Sequence, residues 1–316
     1  MVPEPRPKLT ASIERQPMKT INGETKLIGL LGNPVSHSLS PSIQNAALEA
    51  MHLNWCYLAL PCPEDQLSSI LTGLLHANCK GLNITIPFKT KIAKLCTELS
   101  PLAHKLQAVN TIIPNSKGGW YGTNTDVEGF LFPLRKEINK EKSLALVLGC
   151  GGSARAIIAG LIELKYKAII IIGRKQKSIE NFITDLNQNK IIPEDIDIKG
   201  ILYSDINIVE YVKNSNLIVN TTPIGMLSEK ENQNVINLPF NEELWFHLNA
   251  KTTLYDLIYT PRPTAWLKKG KKIGCKTIDG LEMLLQQGAA SLRLWSGITE
   301  IPIDVMREAA ENQLKI

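Results

Sequence analysis

The chain has 316 residues, 44% hydrophobic and 21% charged, which describes a soluble globular protein with room for two ordinary domains. Its formal charge of +5 is mildly basic, but the Lys and Arg residues are scattered, which argues against a nucleic-acid-binding stripe. Six cysteines without CxxC spacing read as free thiols in a reducing cytoplasm, the five histidines give no metal signature, and no apolar run reaches membrane-spanning length.

The first two dozen residues are polar, and Pro3, Pro5 and Pro7 prevent regular structure there. Residues 1–24 are expected to form a disordered extension, with Met18 an alternative translation start. A first strand at 27–32 runs into a loop, and Ser40-Pro41 opens a helix, because serine is a favoured N-cap and proline a favoured first helical residue. A strand at 55–60, a helix at 66–75, a proline-stopped strand at 81–87 and a helix at 91–96 follow. Segments 109–114 and 119–122 read as a hairpin. A helix is expected over 127–138, with strands at 142–148, 168–172, 216–220, 253–256 and 276–278. Residues 190–199 read as a charged loop, and the chain closes with an amphipathic stretch at 281–295 and a helix at 303–314. Alternation of strand and helix throughout predicts an α/β protein.

The stretch 143–175 carries the clearest chemistry. An apolar strand enters Gly149-Cys-Gly151-Gly152-Ser153-Ala154, a helical segment follows, and a second strand ends at Gly173-Arg174-Lys175. The glycines permit a tight turn and close backbone approach to a pyrophosphate, and the helix offers free N–H groups to it. An NAD-selective site places an acid at the second strand's end, where it accepts from the ribose hydroxyl. Arg174 and Lys175 stand there instead and would attract a 2′-phosphate, which points to NADP.

Four further polar segments fall at strand ends, where open α/β sheets place ligands: 36–41, 83–89, 108–111 and 124–126. Their hydroxyls, amides, one lysine and one carboxylate suit a polyhydroxylated small acid, since each ligand hydroxyl needs a partner.

In these segments the chain resembles the NADP-dependent shikimate dehydrogenases. The shared stretches are Gly32-Asn-Pro-Val-Ser-His-Ser-Leu-Ser-Pro41, Asn83-Ile-Thr-Ile-Pro-Phe-Lys89, Ala108-Val-Asn-Thr111, Gly122-Thr-Asn-Thr-Asp126, Gly149-Cys-Gly-Gly152, Asn220-Thr-Thr-Pro-Ile-Gly-Met226 and Gly280-Leu-Glu-Met-Leu-Leu-Gln-Gln287. The resemblance implies an N-terminal α/β substrate domain with a mixed sheet over 25–125, completed by C-terminal helices at 281–316, and a Rossmann-like NADP domain over 126–280. It also implies reversible reduction of 3-dehydroshikimate to shikimate, on the route to chorismate and the aromatic amino acids.

On this resemblance Lys89 and Asp126 are the proton-transfer pair, since hydride reduction of a ketone leaves an alkoxide that needs a proton. Ser38 and Ser40 would bind the substrate carboxylate, and Thr85, Asn110 and Gln287 its hydroxyls, with Tyr259 reaching the substrate or serving as a buried structural tyrosine. Gly149, Gly151, Gly152, Ser153, Ala154, Arg174, Lys175, Thr222, Gly225, Met226 and Gly280 would line the cofactor. Structural roles compete at Ser40 and Asp126, which can cap helices, and at Met226, which can be core. The strand end departs from the family's Asn-Arg-Thr pattern, having Gly173-Arg174-Lys175, so the strength of the NADP preference is open. Two rivals stand beside this reading: a quinate/shikimate dehydrogenase of broader specificity, and a non-catalytic ligand-sensing module. The expected partner is the small-molecule substrate, with a homodimer left open and neither nucleic acid nor membrane involved.

Overall fold

The computed structural model describes residues 21–135, 143–226 and 238–314. Met18, the end of the helix expected at 127–138, Lys142 and most of the expected N-terminal extension lie outside the described residues. Residues 22–25 form a hydrogen-bonded turn tied to Asn54, so that extension does not run to residue 24.

The first part of the chain comprises β1 (Lys26–Gly32), α1 (Ser40–Ala50), β2 (Trp55–Pro61), α2 (Leu67–His76), β3 (Gly81–Ile84), α3 (Lys89–Leu95), β4 (Glu98–Leu99), α4 (Pro101–Leu106), β5 (Thr111–Pro114) and β6 (Trp120–Thr123). Its strands form one mixed sheet in the order β2-β1-β3-β5-β6-β4. β1 pairs in parallel with β2 and β3, whereas β5 runs antiparallel to both β3 and β6.

After α5 (Asp126–Leu134) come β7 (Leu144–Leu148), α6 (Gly152–Glu163), β8 (Ala168–Gly173), α7 (Gln176–Gln188), β9 (Asp197–Leu202) and α8 (Ile208–Asn214). Then follow β10 (Leu217–Asn220), α9 (Glu242–His247), β11 (Thr253–Asp256), α10 (Ala265–Ile273), β12 (Lys276–Ile278), α11 (Leu281–Ser296) and α12 (Ile303–Leu314). The second sheet is parallel throughout, in the order β12-β11-β10-β7-β8-β9. Counted from β7, that is the 3-2-1-4-5-6 order of dinucleotide-binding sheets, whose ligand crevice lies where the order reverses, outside the ends of the first and fourth strands.

Several boundaries differ from the sequence reading for local reasons. α3 begins at Lys89 and β3 stops at Ile84, because the Phe88 N–H turns back to the Thr85 carbonyl. β4 and α4 are too short to give a periodic signal. β9 begins within the stretch expected to be a charged loop, its outward positions being polar.

The last two helices return to the first sheet. Leu281, Leu285, Ala289 and Leu292 share one face of α11 and are buried with Ile28, Leu30, Ile43 and Tyr57. Burying each such leucine contributes about 1.5–3 kcal/mol. Trp295 closes the contact by donating from its indole N–H to the Ile112 carbonyl at 3.1 Å. α5 runs between the two sheets: Val127, Phe130 and Leu131 share a core with Met283 of α11 and with Ala154, Ile157 and Ile158 of α6.

α5 and α6 pack closely enough that a Cβ added at Gly160 would lie 2.5 Å from Cδ1 of Phe130. Phe130 is fully buried and stacked on Tyr255, with ring centroids 5.2 Å apart, so it has little room to move. Gly160→Val is expected to destabilise the protein by about 1–3 kcal/mol, measured as a lower urea midpoint at unchanged slope.

Candidate active site

In the first sheet the strand order reverses at β1, between β2 and β3, and the loops after β1 and β3 meet there. The Asn33 N–H donates to the Ile86 carbonyl at 2.9 Å. A Cβ on Gly32 would lie 2.3 Å from the Thr85 side chain. Lys89 follows as the first residue of α3, and its ammonium donates to Asp126 Oδ2 at 2.7 Å. The pair is largely buried, with side-chain exposures of 15% and 6%. A buried ion pair persists only where its remaining valences are met. Here the second Asp126 oxygen accepts from the Asn110 amide at 2.8 Å.

Asp126 is placed by its own turn. Asn124 Oδ1 accepts from the Asp126 N–H at 3.0 Å, and the Asn124 amide donates to the Ala108 carbonyl at 3.0 Å. Asp126 does not cap α5: it is the first helical residue, and Thr125, which precedes it, makes no side-chain cap. Ser40 likewise does not cap α1, whose flanking residue is Leu39. It is Ser38 Oγ that accepts from the Ser40 N–H, at 3.1 Å.

Ser38 and Ser40 each reach a tyrosine, Tyr259 half-buried and Tyr57 fully buried. Tyr259 is hydrogen-bonded by the Ser38 side chain and the Leu39 backbone, and burial is the main cause that raises its pKa above the ordinary value. Tyr57 is raised further, again chiefly by burial, with a hydrogen bond to Ser40 opposing. The Tyr57 hydroxyl donates to Asn83 Oδ1 at 2.9 Å. The Asn83 amide donates to Ser291 Oγ at 2.8 Å and to Thr111 Oγ1 at 3.2 Å. Thr111 and Ser291 hydroxyls lie 2.9 Å apart, and Thr111 also donates to Asn110 Oδ1 at 3.1 Å. The Asn110 amide reaches Gln287 Oε1 at 3.3 Å, whereas Gln286 turns away to Glu282. A continuous polar network therefore runs from Ser40 to Lys89.

No role for Tyr57, Asn83, Thr111, Thr125 or Ser291 individually is expected from the sequence. Asn83 and Thr111 lie inside the recognised motifs, but nothing in the sequence signals Ser291, which meets them only because α11 returns to this sheet.

Across the cleft, the second sheet reverses between β7 and β10, where the Gly-rich turn faces Thr221 and Thr222. Gly149 has φ +107°, and a Cβ there would lie 2.7 Å from Thr221 Oγ1. A Cβ at Gly151 would meet nothing within 4 Å, so the turn leaves open space ahead of the α6 N-terminus. That cradle and the free N–H groups of the first helical turn fit a pyrophosphate. Ser153 and Ala154 lie in that first turn. Arg174 and Lys175 are exposed at the end of β8. Beside Arg174 stands Tyr203, absent from the sequence reading, whose hydroxyl burial pushes up to about 12 while the Arg174 charge opposes.

The loop after β10 is held by Asn220. Its Oδ1 accepts from the Thr222 N–H and hydroxyl at 3.0 and 2.7 Å, and its amide donates to the Ile224 carbonyl at 3.2 Å. Gly225 follows with φ +99°, and Met226 is exposed rather than core. Gly280 has a packing reason to be glycine, since a Cβ would lie 2.0 Å from the Leu257 carbonyl oxygen. The described residues contain no cluster of three His, Cys, Asp or Glu able to hold a metal, and no helix long and apolar enough to cross a membrane.

A family model for the shikimate dehydrogenase substrate binding domain matches residues 30–112, and one for the shikimate 5′-dehydrogenase C-terminal domain matches residues 280–311. The chain is 47% identical to a shikimate dehydrogenase (NADP(+)) of Prochlorococcus marinus strain MIT 9215, over 93% of its own length and 100% of the relative's. The chain belongs to the shikimate dehydrogenase family. Among solved structures it resembles a shikimate dehydrogenase in complex with NADP+, with a TM-score of 0.80 and 34% identity over 94% of this chain and 98% of that one. It also resembles the Thermus thermophilus enzyme in complex with NADP(H) and shikimate, with a TM-score of 0.75 and 30% identity over 91% and 99%.

One buried acid within this family fold stands apart from the Lys89 pair. Asp256, at the end of β11, accepts from Asn220 at 3.0 Å, the Ile258 N–H at 3.2 Å and the Thr264 hydroxyl at 2.8 Å. Burial raises its pKa to about 6, with those three hydrogen bonds opposing and Asp279 adding to the rise. A raised carboxyl favours folding most fully below its unfolded pKa, near 3.8, and that contribution is lost as pH rises through about 6. Asn does not titrate. The stability of wild type relative to Asp256→Asn is thus expected to fall by up to about 3 kcal/mol between pH 4 and 7, read by denaturant titration at each pH.

Proposed function

We propose that this chain catalyses the reversible NADPH-dependent reduction of 3-dehydroshikimate to shikimate. The observation that carries the proposal is the buried Lys89–Asp126 pair, which sits where the substrate-side loops and the Gly-rich turn meet. Residues 25–125 with 281–316 serve as the substrate unit, and 126–280 as the cofactor unit. The protein acts in the cytoplasm.

Ser38 and Ser40, oriented by Tyr259 and Tyr57, receive the substrate carboxylate. Asn110, Gln287 and Thr85 take the ring hydroxyls, each of which would otherwise be buried without a partner. NADP would be held by the turn from Gly149 to Ala154, by Thr222, Gly225, Met226 and Gly280, and by Arg174 and Lys175, whose charges would meet its 2′-phosphate. When bound, it supplies or accepts the hydride. Lys89 stands at the reacting oxygen, and the Lys89–Asp126 pair gives up the proton that the developing alkoxide needs and recovers it in the reverse direction. Asn110 fixes the carboxylate and so the direction in which the ammonium points. Substrate filling the crevice excludes water and strengthens each of these interactions.

Two variants test this assignment. Lys89→Ala is expected to lower kcat by about 10²–10⁴, with a smaller effect on the KM for shikimate; an unchanged kcat removes the lysine from the chemistry. Arg174→Asp is expected to raise the KM for NADP more than that for NAD, because only NADP carries the phosphate that the arginine meets. Assays with quinate as substrate serve as the specificity control, and faster turnover of quinate with NAD would replace the assignment.

A further inference from the structure

Lys89 has a second partner, and it comes from the other sheet. The Lys89 ammonium donates to Ser153 Oγ at 3.3 Å as well as to Asp126 Oδ2 at 2.7 Å. Ser153 is the second residue of α6, directly after the glycines of the nucleotide turn. We propose that Ser153 is a positioning residue for the Lys89 amine, linking the cofactor turn to the proton-transfer pair. This rests on the function proposed above and extends it to a residue so far assigned only to the cofactor.

The approach is built into the packing. A Cβ on Gly152 would lie 3.1 Å from the Lys89 Cβ, so α6 comes this near to Lys89 with little space for a side chain at that position. α6 is also fixed against the substrate side. Arg155, 7% exposed, donates to the Leu106 carbonyl at the end of α4 at 3.3 Å, while its other terminal nitrogen pairs with Asp185 at 2.7 Å. Two turns further along, Gly160 admits the Phe130 ring of α5. The Ser153 hydroxyl is therefore carried on a helix docked on both sides of the cleft.

The chemistry follows from counting protons. An ammonium has three N–H donors and no acceptor. Asp126 takes one and Ser153 a second, and these two anchors fix rotation about the terminal bond and leave the third for the reacting oxygen. A hydroxyl that accepts from lysine keeps its own proton to donate. Ser153 can thus give that proton to an anion at the α6 N-terminus while it holds the amine, so one side chain serves both the cofactor seat and the reacting centre.

The test is steady-state kinetics of the full-length protein with shikimate and NADP, comparing wild type, Ser153→Ala and Ser153→Thr. If Ser153 positions the amine, alanine lowers kcat about three- to tenfold and enlarges the solvent deuterium isotope effect on kcat, and threonine, which keeps the hydroxyl, restores both. An unchanged kcat in Ser153→Ala, or a raised KM for NADP with kcat intact, would make Ser153 a cofactor contact alone and overturn the inference. Wild-type turnover distinguishes the two levels: its absence overturns the proposed function, whereas its presence beside an unaffected Ser153→Ala overturns only the role of this serine.

Discussion

A charged amine held largely out of solvent against a buried carboxylate is the constraint around which this molecule is arranged. Burying Lys89 and Asp126 costs free energy that their mutual attraction repays only if the geometry is fixed and the remaining lone pairs are satisfied. Four separate stretches of chain meet that condition. α3 carries the lysine, the Asn124 turn presents the aspartate, Asn110 closes its second oxygen, and α6 supplies a hydroxyl from the opposite sheet. Breaking any one of them leaves a buried polar group without its partner.

The fold explains how stretches so distant in sequence come together. Each sheet has a point where its strand order reverses, and each presents its loops from the carboxyl ends of parallel strands. α5 runs between the sheets and packs against both α6 and α11. Its N-terminal residue is Asp126, so the helix that joins the two halves also delivers the acid of the central pair. Placing catalytic groups on helix starts and strand ends lets a rigid scaffold orient them, which favours a fixed reacting geometry.

Much of this was legible in the sequence because it depends on local chemistry. The strands expected at 168–172 and 216–220 fall on β8 and β10 because both are apolar runs buried on two faces, and the Gly149–Gly152 turn with Arg174 at the following strand end pointed to a dinucleotide. Lys89 and Asp126 were legible through the family motifs that contain them. The polar network was not, because Ser291 meets Asn83 across 208 residues and Thr111 across 180. Local propensity also misled at Ser40, where serine before proline signals a cap but the hydroxyl is engaged by Tyr57 instead. The buried acid Asp256 gave no signal either, since its partners Asn220 and Thr264 are brought to it only by the sheet and the start of α10.

The central claim is that one cleft brings the substrate ring, the nicotinamide and the Lys89–Asp126 pair into contact. A crystal structure of the ternary complex with shikimate and NADP+ tests it most directly. The account predicts a ring hydroxyl within hydrogen-bond distance of Lys89 Nζ and the nicotinamide packed against the carbon that bears it. Shikimate and nicotinamide lodged in separate crevices, with Lys89 contacting neither, would contradict it.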